Sequence, residues 1–145
     1  GSDKTRWSSS SIPKYSSIQR VLSDPQSAII ATGGYIAIAE IDGKIVGTGA
    51  LKTPKQPPVG GLKWLELVKM ATDPDAQGQG VGKAVLDHLV EIARDLGAHR
   101  IWLETNDRLA PATRLYERTG FRALTAQEER PTPFSRCNLQ MMLEL

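Results

Sequence analysis

Residues 66–83 read ELVKMATDPDAQGQGVGK, and the fold follows from how that stretch divides. Its first seven residues mix Leu67, Val68 and Met70 with polar neighbours, as a strand buried on at least one face does. Asp73-Pro74-Asp75 then ends the strand with turn chemistry. Gly78, Gly80 and Gly82 follow on alternate positions, and Val81, Val85, Leu89, Ile92 and Leu96 recur at three- and four-residue spacing, which draws one apolar stripe along a helix. A glycine-rich turn feeding a helix N-terminus gathers backbone N–H groups without helical partners and adds the positive end of the helix dipole. It also lacks the β-carbons that would hold an anion away. The guest that suits such a place is a phosphate or pyrophosphate.

Two common glycine patterns fail here. The nucleoside-triphosphate loop G-x-x-x-x-G-K-[ST] could be anchored only on Gly82-Lys83, which puts Gln77 where its first glycine belongs and Ala84 where its magnesium-binding hydroxyl belongs. The dinucleotide fingerprint G-x-G-x-x-G begun at Gly78 would need a glycine at Lys83. Gln77-x-x-Gly80-x-Gly82, by contrast, resembles the [RQ]-x-x-G-x-[GA] signature of the GNAT superfamily of acetyl-CoA-dependent N-acetyltransferases.

Outward from that stretch, 145 residues predict one domain with a real core. A net charge of +2 without a basic tract argues against a nucleic-acid partner. Cys137 is the only cysteine, which excludes an intramolecular disulfide, and no apolar run approaches the roughly 20 residues of a membrane span. A soluble, cytoplasmic protein without a membrane partner is expected. Gly1-Ser2 reads as the remnant of an expression tag and Ser8 to Ser11 as too polar to pack, so residues 1–12 are expected to be disordered and 13–145 to form the domain. Ile18, Val21 and Leu22 suggest a short helix ending near Asp24-Pro25, and Thr32-Gly33-Gly34 a break.

Tyr35 to Ile41 and Lys44 to Leu51 flank Asp42-Gly43 as a hairpin does, and Lys52 to Lys63, with Pro54, Pro57, Pro58, Gly60 and Gly61, reads as a loop before Trp64 opens the next strand. Beyond the helix, Gly97 suits a C-cap, and Arg100 to Thr105 alternates as a strand. Pro111 suits a first helical turn and Gly120 a helix end, with Phe121 to Leu124 and Asn138 to Leu145 as two last strands.

Leu115 to Phe121 read LYERTGF, and with Ala112 they resemble the A-x-x-L-Y-x-x-x-G-F stretch that GNAT chains carry at this point. The resemblance spans about Tyr35 to Leu145 and implies a mixed α/β domain whose largely antiparallel sheet is splayed to admit coenzyme A. Residues before Tyr35 fit it poorly. Family members usually begin with a strand and two helices that help bind the acceptor, whereas here one short helix is read, so the N-terminus is expected to be reduced, unusual or truncated.

The resemblance also implies roles. Acetyl-CoA is the expected co-substrate, with its pyrophosphate on the amides of Gln77, Gly78, Gln79, Gly80, Val81 and Gly82, and its pantetheine arm lying along Met70, Ala71 and Thr72 like an extra strand. The Met70 N–H would face the thioester carbonyl. Lys83 would either add charge near a phosphate or be a solvated helix residue. Asn106 would contact coenzyme A in place of the Asn that the family often has where Leu109 stands, or not at all. Glu66, in a match to E-x-x-x-[CML]-A-[VT], is the candidate base, because a primary amine with a reference pKa near 10.4 must lose a proton before it attacks. Otherwise it is a salt-bridged strand residue.

Tyr116 is the candidate partner of the departing thiolate. Full proton transfer from a phenol near pKa 10 to a thiolate whose conjugate thiol has a pKa near 8.5 is uphill by about 2 kcal/mol, so a strong hydrogen bond describes the role better. His88 and His99 lack ligand-spaced Cys or carboxylate neighbours, which leaves no metal expected, and Cys137 lacks a paired His. Glu128 and Glu129 read as a solvated loop that could also meet a cationic amine. The expected activity is acetyl transfer to a small-molecule or peptide amine by direct attack, as a monomer or homodimer. A non-catalytic acyl-CoA-binding or regulatory module, and a transferase for another acyl group, remain open.

Overall fold

A computed structural model describes residues 8–9, 20–24, 35–54, 59–130 and 137–145. Asp42 and Gly43 both take positive φ, 51° and 76°, and so turn the chain tightly between β3 (Tyr35–Ile41) and β4 (Lys44–Lys52). Two strands precede this hairpin, β1 (Ser8–Ser9) and β2 (Arg20–Asp24), and continue its sheet antiparallel at the β3 edge. β5 (Trp64–Thr72), α1 (Val81–Asp95), β6 (Arg100–Thr105) and α2 (Ala110–Thr119) follow, then β7 (Arg122–Ala123) and β8 (Leu139–Glu144). The sheet order is β1-β2-β3-β4-β5-β6-β8-β7, and among the described strands only β5 and β6, joined through α1, run parallel.

The start of the chain differs from expectation. Residues 20–24 are a strand rather than the end of a helix, with Val21 opposite Ala39 and Leu22 opposite Ile38. A run this short shows neither period clearly, and pairing with the hairpin's open edge satisfies backbone groups that a single isolated turn leaves bare. Ser8 and Ser9, within the stretch expected to be disordered, pair with Ser23 and Leu22, which main-chain bonding permits without apolar side chains. The rest of residues 1–12, Ile18, Pro25, Thr32-Gly33-Gly34, Pro57 and Pro58 lie outside the described residues. The strand expected over Phe121 to Leu124 shortens to Arg122–Ala123, because the Phe121 N–H is still bonded to the Tyr116 carbonyl at the end of α2.

α1 lies across β3, β4 and β5, with Val81, Val85 and Leu89 in the main core. It sits close because β4 carries glycine under it. A β-carbon on Gly47 would come 2.3 Å from Val81 Cγ1, and one on Gly49 would come 2.9 Å from both Leu89 Cδ1 and Val85 Cγ1. Gly47→Ala is therefore expected to destabilise the fold by about 1–3 kcal/mol, since a β-branched valine at a helix start has no room to give. Denaturant unfolding checks this, and a loss under about 0.5 kcal/mol would contradict so close a seat.

A bulge interrupts β5. Ala50 is opposite Val68 and Thr48 opposite Ala71, so Lys69 and Met70 together face Gly49, and Lys69 takes φ 58°. The Lys69 carbonyl accepts a hydrogen bond of 3.0 Å from the Thr48 hydroxyl. The extra residue shifts the alternation: Leu65 and Leu67 face the helices before it, and Met70 packs there after it. Trp64, on the other face, joins Trp102, Leu124 and Met142 in a second cluster. No described helix is long and apolar enough to cross a membrane.

Candidate active site

The turn before α1 is fastened on its hairpin side. The Asp73 N–H donates to the Val46 carbonyl at 2.7 Å, its carboxylate meets Lys44 Nζ at 3.1 Å, and its Oδ1 accepts from the Asp75 N–H at 2.9 Å. Gly78 and Gly80 then take φ 83° and 78°, a conformation L side chains resist, and bring the chain into the helix. The helical ladder begins only with the Ala84 N–H on the Gly80 carbonyl, no side chain caps the helix, and its first turn has no acid. Helix N-terminal amides without intrahelical partners, with the positive end of the dipole behind them, suit an anion.

Three details mark this turn. The Gln77 N–H is bonded to the Pro74 carbonyl at 3.4 Å and so is already engaged within the turn. A β-carbon on Gly82 would come 3.1 Å from Leu115 Cδ2, so that glycine serves the approach of α1 to α2 as well as any approach by an anion. Lys83 Nζ is bound to Asp87 Oδ1 one turn along α1, which favours the solvated-helix reading.

A gap opens beside this turn. β5 and β6 are paired over Trp64, Leu65 and Glu66 against Arg100, Ile101 and Trp102, and the ladder stops there. Beyond Glu66 the β6-facing edge of β5, which carries Met70, Ala71 and Thr72, has no strand partner among the described residues. Tyr116 belongs to the helix-side core, its ring 5.8 Å from that of Phe121. Its hydroxyl makes no hydrogen bond to another described residue, and burial raises its pKa. Asn106 Oδ1 accepts from the Arg108 N–H at 2.9 Å and its carbonyl accepts from the Leu109 N–H, so Asn106 shapes the entry to α2.

Strand alternation puts Glu66 on the opposite face, with Trp64 and Trp102. It is buried at 8% exposure, and Lys52 Nζ lies 3.7 Å from its Oε1. Glu104 stands two residues beyond Trp102 on that same face, just past the last β5–β6 rung. Its Oε2 is buried and has no hydrogen-bond partner among the described residues. Gln140 closes this side by accepting from Trp102 Nε1 at 3.3 Å and from the Arg130 N–H at 2.8 Å. Glu128 is committed elsewhere: both its oxygens meet Arg122 at 2.9 Å, and that hydrogen-bonded pairing pulls its carboxyl down to about 2. His88 is buried in α1, neither ring nitrogen has a hydrogen-bond partner among the described residues, and desolvation lowers its pKa so that it stays neutral at neutral pH. Among the described residues no cluster of His, Cys, Asp or Glu could hold a metal ion.

The model of the Acetyltransferase (GNAT) family matches residues 5–121. The chain belongs to that family. Among GNAT relatives, N-acetyltransferase family 8 member 2 of Rattus norvegicus is 32% identical over 104 residues, 72% of this chain and 46% of that protein. The [ribosomal protein bS18]-alanine N-acetyltransferase of Escherichia coli K12 is 42% identical over 59 residues, 41% of this chain and 40% of the relative. The matched region is thus less than half the length of each. The Salmonella typhimurium protein yncA, solved with its cofactor acetyl-CoA, superimposes with a TM-score of 0.65 at 22% identity, over 81% of this chain and 68% of the other, and so shares the fold.

The GNAT match reaches back to residue 5, further than the motifs suggested, since β2 carries no signature of its own. Glu104 is a residue of this face that the sequence did not single out. Its place in W-L-E-T reads as ordinary strand alternation, and only the end of the β5–β6 ladder makes its enclosed oxygen conspicuous.

Proposed function

We propose that this chain transfers the acetyl group of acetyl-CoA to a primary amine by direct attack. The observation that carries the reading is a bare helix N-terminus beside parted strands whose last shared rung bears a buried carboxylate. The amides of Gly78 to Lys83 would hold the pyrophosphate, and the open β5 edge at Met70, Ala71 and Thr72 would bond the pantetheine arm as an added strand. The Met70 N–H would steady charge growing on the thioester oxygen, worth roughly 3 kcal/mol in a water-poor cleft.

The acceptor would enter from the face that carries Glu66 and Glu104. A carboxylate there takes the ammonium proton, the freed amine attacks the thioester carbon, and the carbon–sulfur bond breaks. The Tyr116 hydroxyl would hydrogen-bond the sulfur as its charge grows. Its raised pKa makes it a weaker acid still, which favours a donated hydrogen bond over complete proton transfer.

Glu66 is the proton acceptor of this reading. A second reading gives that task to Glu104, because its Oε2 is enclosed without a hydrogen-bond partner among the described residues, whereas Glu66 is already paired with Lys52. Glu66→Gln and Glu104→Gln decide between them. The variant of the true base should lose about 10²- to 10⁴-fold in turnover below the acceptor's pKa and recover much of it as pH rises, since free amine then needs no base. Equal, undiminished turnover in both at neutral pH would remove the acidic face from the mechanism. The acceptor class is found by following thiol release against amino acids, polyamines, aminoglycosides and peptides. Binding of acetyl-CoA without thiol release to any amine would support the non-catalytic module instead.

A further inference from the structure

Apart from Asp42 in the hairpin turn, Lys69 is the only described residue other than glycine with a positive φ, at 58°. An L side chain resists that conformation, which persists where neighbouring groups hold it. Lys69 is exposed, so packing of its own side chain does not supply the hold. Two contacts with β4 do. The Thr48 hydroxyl donates to the Lys69 carbonyl at 3.0 Å, and Met70 seats over Gly49, where a β-carbon would come 2.6 Å from its Sδ. The direction of the next amide follows from the first contact. A trans peptide unit is planar, with its C=O and N–H on opposite sides, so the Lys69 carbonyl and the Met70 N–H turn together. With the carbonyl drawn to Thr48 on β4, the Met70 N–H points away from β4, towards the gap. Alternation along β5 gives the same direction independently. The Asp73 N–H reaches the Val46 carbonyl on β4 at 2.7 Å and Ala71 stands opposite Thr48, so the amides of Met70 and Thr72 fall on the other edge.

We infer that Thr48 is a positioning residue for acetyl transfer: its hydroxyl pins the Lys69–Met70 peptide so that the Met70 N–H stays aimed into the gap, at the oxygen of the thioester. The inference rests on the acetyl-transfer reading above, in which that N–H steadies the growing oxyanion. Without the hydroxyl, the peptide plane is freer to tilt about ψ of Lys69 and φ of Met70, and each tilt turns the N–H off the thioester oxygen. A donor stabilises the transition state most when it is already aimed, because turning it during the reaction costs part of what it supplies.

The test pairs turnover with the infrared carbonyl band of bound acetyl-CoA, carrying carbon-13 at its thioester carbon, in wild type, Thr48→Val and Thr48→Ser. A hydrogen bond to the carbonyl oxygen weakens the C=O bond, so the wild type should lower this band from its position in free acetyl-CoA. Thr48→Val keeps the β-branched shape without the hydroxyl. It should return the band towards the free position and lower kcat about ten- to a hundredfold, with acetyl-CoA affinity by calorimetry changed less than about threefold. Thr48→Ser, which keeps the hydroxyl, should restore both band and turnover. Thr48→Ala repeats the measurement should the valine variant fold poorly. A band in the folded variants without the hydroxyl that coincides with the wild-type band would overturn the inference, whatever their turnover, because loss of a merely structural contact does not move the carbonyl. If the wild-type band is displaced and every variant shares it, only the positioning inference falls. If the wild-type band is not displaced at all, the placement of the Met70 N–H on the thioester oxygen falls as well.

Discussion

Gly80→Asp should reduce coenzyme A affinity by at least about 2–3 kcal/mol, roughly thirty- to two-hundredfold, while the protein stays folded. Gly80 is the N-cap of α1 at φ 78°, so any side chain there is strained. Aspartate tolerates this conformation better than most residues, and its charge suits the positive end of the helix. That favourable interaction is also what removes binding. The carboxylate neutralises the helix end, can accept from the amides a pyrophosphate would use, and repels the incoming anion. Calorimetry with coenzyme A checks it, and micromolar binding by the folded variant would refute the placement of the pyrophosphate. Gly82→Asp is a poorer probe, since its β-carbon would also press on Leu115.

Tyr116→Phe should leave acetyl-CoA affinity nearly intact and lower kcat by about ten- to a thousandfold, as expected for one positioned proton donor. The ring and the hydroxyl separate cleanly. The ring packs beside Phe121 at 5.8 Å in the helix-side core, and phenylalanine keeps that packing, so stability should change by under about 1.5 kcal/mol. The hydroxyl has no hydrogen bond to another described residue, so its removal leaves no described group unpaired. It matters most when charge gathers on sulfur, which places the loss in kcat. Because burial raises the tyrosine pKa, the hydroxyl remains protonated through neutral pH and beyond its usual range near 10, so the wild-type pH profile below that range reports other groups. A folded variant with wild-type turnover would mean that water or another donor serves the thiolate.

These two residues were legible in the sequence because their chemistry is local. Gly78, Gly80 and Gly82 announce a turn into a helix, and LYERTGF carries both a helical face and its glycine end. The hairpin at Asp42-Gly43, α1 and β6 were readable for the same reason, since period and turn residues coincide there. What escaped depends on contacts distant in the chain. The bulge at Lys69 has no glycine to mark it and is fixed by how β5 meets Gly49 under α1. β2 was mistaken for a helix because Val21 and Leu22 suit either period until β3 supplies a partner. The Lys52–Glu66 pair needs the β4–β5 register, and Glu104 gains its interest from the point where β5 and β6 part.

The most direct test of acetyl transfer follows the acetyl group itself. The chain is incubated with carbon-13-labelled acetyl-CoA and the acceptor that gives the greatest thiol release, and acceptor and protein are then weighed by mass spectrometry. Direct attack predicts one labelled acetyl group on the acceptor nitrogen for each thiol released, with no labelled protein accumulating at any time. Label that stays in bound acetyl-CoA, or that appears on the protein before it reaches the amine, would contradict it.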